Sequence, residues 1–77
     1  MRIKILYFAS LREQIGRASD FIESDELLSV IDAWQLATGM PDLLDNLLIS
    51  VNQEYTTADA LLDDGDELAF FPPVTGG

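Results

Sequence analysis

A chain of 77 residues that contains neither cysteine nor histidine has to hold its fold by packing alone. Domains this small bury a limited share of their surface, and many lean on disulfides or a structural metal. Without Cys there is no disulfide framework, no thiolate nucleophile and no Cys-ligated zinc; without His there is no imidazole base and no usual transition-metal ligand. An apolar fraction of 48% supplies one core and leaves no room for a second, so residues 1–77 are expected to form a single domain.

Charge narrows the partners. The formal net charge is −10, all four cations (Arg2, Lys4, Arg12, Arg17) lie in the first seventeen residues, and every acid except Glu13 lies beyond them. Such a chain is repelled by phosphate backbones and anionic lipid, so no nucleic acid and no membrane is expected as a partner, whereas a basic protein surface is favoured. Met1-Arg2-Ile3-Lys4 runs straight into a strand pattern with no secretory leader, and no apolar run approaches a membrane span. The expected compartment is the cytoplasm.

Periodicity gives the order of elements. Residues 2–9 alternate as a strand with Ile3, Ile5 and Tyr7 on the buried face and Lys4, Leu6 and Phe8 on the other. Ser10 to Gly16 form a polar connection with room for a short helical turn, and Ala18 to Glu23 a second strand, the two pairing as a hairpin. Ser24-Asp25-Glu26 reads as a helix start, with Ser24 as cap and acids in the first turn, and predicts a helix over about 25–38. Its apolar stripe is Leu27, Leu28, Ile31, Trp34 and Ala37 or Thr38, and Gly39 is its stop.

Residues 40–48 stay open between a short helical turn and a lead into a strand at Leu48 to Val51. A turn at Asn52-Gln53 or Gln53-Glu54 leads to an edge strand starting at Tyr55, then a short piece over Ala58 to Leu62 with Leu61 and Leu62 inward. Asp64-Gly65 is a tight turn, and Glu67 to Phe71 the last strand, with Leu68 and Phe70 sharing one face. Pro72-Pro73 must end it. The expected class is α+β: a mixed sheet with one main helix across one face, in the order of a β-grasp.

Beyond the last strand lies the only stretch that cannot pack. Pro72-Pro73-Val74-Thr75-Gly76-Gly77 spans roughly 20 Å when extended, long enough to enter another protein. The prolines favour a stiff exit, and Gly76 and Gly77 can thread a channel too narrow for any side chain. A flexible tail with the Gly77 carboxylate at its tip is therefore the candidate for chemistry, through an acyl-adenylate made from ATP by a separate enzyme. An amine that displaces AMP makes the protein a covalent tag. A sulfur donor makes the tail a thiocarboxylate, whose ionised sulfur is a nucleophile.

The ending DGDELAFFPPVTGG (Asp64 to Gly77), the opening ILYFASLREQIG (Ile5 to Gly16) and the internal VNQ (Val51 to Gln53) together resemble the sulfur-carrying small subunits of molybdopterin synthase. The resemblance implies a ubiquitin-like β-grasp whose Gly77 is adenylated by an E1-like enzyme, loaded by a sulfur donor, and inserted as a thiocarboxylate into the large subunit of a heterotetramer. There it delivers sulfur to cyclic pyranopterin monophosphate. No cofactor is expected on the carrier itself, ATP being consumed by the activating partner, and catalytic side chains are expected on the large subunit. Rival readings are a carrier for thiazole synthesis, a ubiquitin-like modifier joined through Gly77, and an interaction domain with an inert tail.

For the partner interface the outward face of the first and last strands offers Phe8 and Phe71, adjacent if those strands are parallel neighbours, with Tyr55 beside them. The competing reading is that the phenylalanines cover the end of the core. Asp63-Asp64-Gly65-Asp66-Glu67 lacks the spacing of a calcium loop and reads as a turn with solvated acids. Arg12 reads as a surface or loop-bracing residue, and Trp34 as core.

Overall fold

The computed structural model describes residues 1–73. Five strands and two helices occur in the order β1 (Arg2–Tyr7), α1 (Ala9–Ile15), β2 (Ser19–Glu23), α2 (Val30–Thr38), β3 (Leu48–Val51), β4 (Glu54–Thr56) and β5 (Glu67–Phe71). They build one mixed sheet in the order β2-β1-β5-β3-β4. The last strand sits at its centre, parallel to β1 and antiparallel to β3. That is the β-grasp arrangement expected from the pattern.

Alternation in β1 buries Ile3, Ile5 and Tyr7, and β5 adds Leu68 and Phe70 to the same side. α2 closes this side with Val30, Ala33 and Trp34, all fully buried. Trp34 meets Phe70 edge-on at 4.9 Å between ring centroids, and its indole N–H donates to the Asp42 carbonyl at 2.9 Å. The core is thus centred on the meeting of one helix with the middle strand.

Three expectations are corrected. β1 and β2 do pair antiparallel, but their connection is a full helix, α1, ending at Gly16 in the left-handed region. It forms because Leu11 and Ile15 stand four residues apart on one face, with Leu11 fully buried.

The second correction is the start of α2, at Val30 and not near residue 25. Ser24 makes only a local turn, accepting from the Glu26 amide at 3.0 Å. Ser29 is the cap: its hydroxyl accepts from the Asp32 amide at 3.3 Å, and the Asp32 carboxylate accepts from the Ser29 amide at 3.0 Å. This reciprocal box satisfies two amides that a helix start leaves without partners. The Val30 and Ile31 amides donate to the carbonyls of Ala60 and Ala58, and the Leu62 amide to that of Leu28. Leu28 and Ser29 are therefore committed to the 58–62 segment and cannot wind into the helix.

The third correction is a consequence of the second. Leu27 and Leu61 point outward, 63% and 66% exposed, while Leu28 and Leu62 take the core positions. The stretch left open resolves into turns leading to β3, pinned by the Trp34 bond and by the Gln35 amide donating to the Pro41 carbonyl. The β3–β4 turn is Asn52-Gln53, both at positive φ.

Ser29→Ala should lower stability by about 1 kcal/mol in urea unfolding, with Ser24→Ala near neutral. The box also predicts acid sensitivity. The Ser29 hydrogen bonds hold the Asp32 carboxyl below its ordinary range. Its contribution is therefore present above the unfolded-state pKa, and is lost as pH falls through the depressed folded one. Asp32→Asn should flatten that part of the stability–pH curve, whereas Ser29→Ala, which keeps the residue-29 amide that holds the carboxylate, should flatten it only in part.

Candidate functional site

α2 covers one face of the sheet; the other carries the candidate interface. Because β1 and β5 run parallel with Tyr7 opposite Phe70, the next residues, Phe8 and Phe71, emerge side by side. Their rings stack at 4.7 Å between centroids and 5° between planes. β3 brings Leu48 opposite Phe71, and Ser50 opposite both Ala69 and Tyr55. Phe8 is 39% exposed and Tyr55 76%. The three aromatics named from the sequence are therefore brought together.

They line an open groove completed by Leu48 and the two prolines. A second hollow adjoins it, floored by Leu6 and Ala69 and edged by Ser50, Gln53 and Glu67. Pro72 and Pro73 lie at the groove's end, so the chain leaves the sheet beside Phe8 and Phe71. The candidate reacting residue Gly77 and its approach, Val74, Thr75 and Gly76, lie outside the described residues.

The floor of this face has few hydrogen-bonding side chains, since Leu6, Ala69 and Phe71 put apolar groups outward where an exposed sheet normally carries polar ones. The aromatics were named from the sequence as members of the site, but Leu48, Gln53 and Leu6 were not. Leu6 was legible in the β1 alternation. Leu48 needed the β3–β5 register, and Gln53 the turn geometry.

The remaining polar groups are structural braces. The Tyr7 hydroxyl donates to an Asp20 carboxylate oxygen at 2.9 Å, and the Arg17 Nε donates to the same oxygen at 2.6 Å. Burial, then the hydrogen bond to Asp20, pushes the Tyr7 phenol well above its usual range, so it stays a neutral donor. Arg17 also donates to the Ala37 carbonyl, tying β2 to the last turn of α2.

In the acidic run, Asp64 accepts from the Arg2 amide at 2.8 Å and Asp66 from the Asp63 amide at 2.8 Å. Among the described residues no acidic cluster has the makings of a metal site, and no helix is long and apolar enough to cross a membrane. Arg12 is exposed on α1, its carbonyl receiving the Gly16 amide.

Comparison with known proteins gives a consistent set. A family model described as ThiS family matches residues 5–77. The molybdopterin synthase sulfur carrier subunit of Escherichia coli (strain K12) is 40% identical over 84 aligned positions, covering 97% of this chain and 99% of the relative. Crystal structures of SAMP1, small archaeal modifier protein 1 of Haloferax volcanii, superpose with TM-scores of 0.82 and 0.78 at 28% and 27% identity. The first covers 100% of both chains; the second covers 95% of this chain and 98% of the other. A chain of the complex of subunits 1 and 2 of molybdopterin-converting factor from Helicobacter pylori 26695 covers 100% of both at a TM-score of 0.65 and 23% identity, which is a likeness of fold.

The face predicts a contrast between neighbouring residues. Phe70→Ala, in the core against Trp34, should cost about 3–5 kcal/mol in denaturant unfolding. Phe71→Ala should cost about 1–2 kcal/mol, chiefly the lost stack on Phe8 and its partial burial.

Proposed function

The chain belongs to the ThiS family, and from that premise we propose that it is the sulfur-carrying small subunit of a molybdopterin synthase. The observation that carries the reading is the 40% identity to such a carrier across 97% of this chain. The geometry supports it. The last strand delivers the tail beside an apolar groove, which gives a larger partner a place to grip while the tail enters its active site.

In this reading a partner of the adenylating, E1-like kind joins the Gly77 carboxylate to AMP, releasing pyrophosphate from ATP. A sulfur donor displaces AMP and leaves a C-terminal thiocarboxylate. The large subunit docks on Phe8, Phe71 and Tyr55, admits Val74 to Gly77, and directs the sulfur onto cyclic pyranopterin monophosphate. Water cleaves the bond between the tail's acyl carbon and the transferred sulfur, so that the sulfur stays on the pterin and the tail is released as a carboxylate for another cycle. A dithiolene holds two sulfurs, so two loaded carriers are used per product. The carrier binds no cofactor of its own, ATP being spent on the activating partner, and the cycle runs in the cytoplasm. The charge of −10 suits basic surfaces on the proteins that activate and receive the tail.

A second reading, a protein modifier joined to lysines through Gly77, is favoured by the likeness to small archaeal modifier protein 1. Intact mass of the protein taken from its host separates the two. A carrier shows the sulfur-for-oxygen difference confined to the C-terminal peptide, and a modifier shows higher-mass conjugates. Loaded protein mixed with the large subunit should convert cyclic pyranopterin monophosphate to molybdopterin; no turnover with a verified thiocarboxylate overturns the assignment. Deleting Gly77 should abolish transfer with the melting curve unchanged. Phe71→Ala should weaken binding of the large subunit by tenfold or more, an estimate of about 1.4 kcal/mol or greater for a buried aromatic anchor.

A further inference from the structure

The β3–β4 turn places two successive non-glycine residues in the left-handed region, Asn52 at φ 52° and Gln53 at φ 71°. A two-residue hairpin loop with both residues at positive φ is most relaxed as Asn-Gly, because a side chain at the second position crowds the backbone. Asn52 has a structural reason to be there. Its side-chain oxygen accepts from the Glu67 amide at 3.0 Å and its amide donates to Asp66 at 2.9 Å, stitching the turn to the start of β5.

Gln53 has no such anchor among the described residues and is exposed. It instead lines the hollow that Phe8, Phe71 and Tyr55 also line, together with Ser50 and Glu67. Strain kept at a position where glycine would be easier, at a residue lining a candidate docking surface, is how functional residues are commonly held.

We propose that Gln53 is a recognition residue of the docking groove, whose side-chain amide hydrogen-bonds main-chain or amide groups of the large subunit. The proposal rests on the docking of the large subunit proposed for this face. A neutral amide suits the place. It offers two donors and an acceptor, and beside Glu67 it avoids adding a second carboxylate to the rim. An apolar floor gives affinity without direction, whereas a hydrogen-bonding side chain at its edge fixes how the partner sits.

The test is Gln53→Gly in the full chain, read by thermal unfolding and by affinity for the large subunit from the same organism. The variant should melt a few degrees higher, because the left-handed position is relieved, yet bind about tenfold more weakly. The loss should be the same at high and low salt, since no charge is involved. Unchanged affinity with a raised melting temperature overturns the proposal. So does a fall in both, which makes Gln53 a structural residue, and so does a defect that salt removes.

Phe71→Ala run alongside separates the two levels of failure. If it weakens binding and Gln53→Gly does not, the docking face stands and the recognition role fails. If neither weakens binding, the docking face itself is wrong and the recognition role goes with it.

Discussion

Parallel strands cannot be joined by a tight turn, so pairing β1 with β5 at the centre of the sheet makes all the intervening chain part of the connection. That stretch has to return across the sheet, and α2 does so by burying Val30, Ala33 and Trp34 over Ile3, Ile5, Leu68 and Phe70. With neither cysteine nor histidine in the chain, packing has to hold this junction, and the edge-to-face contact of Trp34 on Phe70 lies where the helix meets the middle strand. The 58–62 segment then supplies carbonyls to the first α2 amides, so the start of the helix is held by a part of the chain that arrives later.

The same pairing creates the exposed face. Parallel register brings the C-terminal ends of β1 and β5 together at one end of the sheet, which stacks Phe8 on Phe71 and directs the chain out beside them. One helix can cover only one face, and α1 lies at the β1–β2 connection, so the apolar groups of Leu6, Ala69 and Phe71 stay on the open side. A groove of this kind costs solubility when alone, and the large excess of acidic residues offsets that cost by keeping separate copies apart.

Strands were legible where one residue type alternates with another. Ile3, Ile5 and Tyr7 against Lys4, Leu6 and Phe8 declared the β1 faces, and Glu67 to Phe71 declared β5 with its bounds. The helix start was not, because Ser24-Asp25-Glu26 and Ser29-Val30-Ile31-Asp32 are both acceptable local caps. Contacts with Ala58 and Ala60, about thirty residues away by the chain numbering, decide between them. The leucine doublets failed for a related reason. Leu27-Leu28 and Leu61-Leu62 each hold one inward residue, and only the Leu28–Leu62 backbone bond says which. The aromatic site was legible because β-grasp topology alone makes Phe8 and Phe71 neighbours. Gln53 was not, since nothing in its type announces a left-handed backbone.

The amine inventory bears on the proposed chemistry. A carrier whose own terminus is turned into an acyl-adenylate is at risk from any nucleophile it carries. Cysteine and histidine are absent, and Lys4 is the one lysine in the chain. Lys4 lies within β1 four residues before Phe8, paired in register with Glu67 and not with Phe71, and its ammonium lies over the Phe21 ring at 5.9 Å. The Met1 ammonium is held by the Ser24 carbonyl at 2.7 Å. Both amines are engaged away from where the tail leaves the sheet. The composition that first reads as an absence of chemistry therefore suits an activated terminus, because it leaves the partner's nucleophile with little competition from the carrier's own side chains.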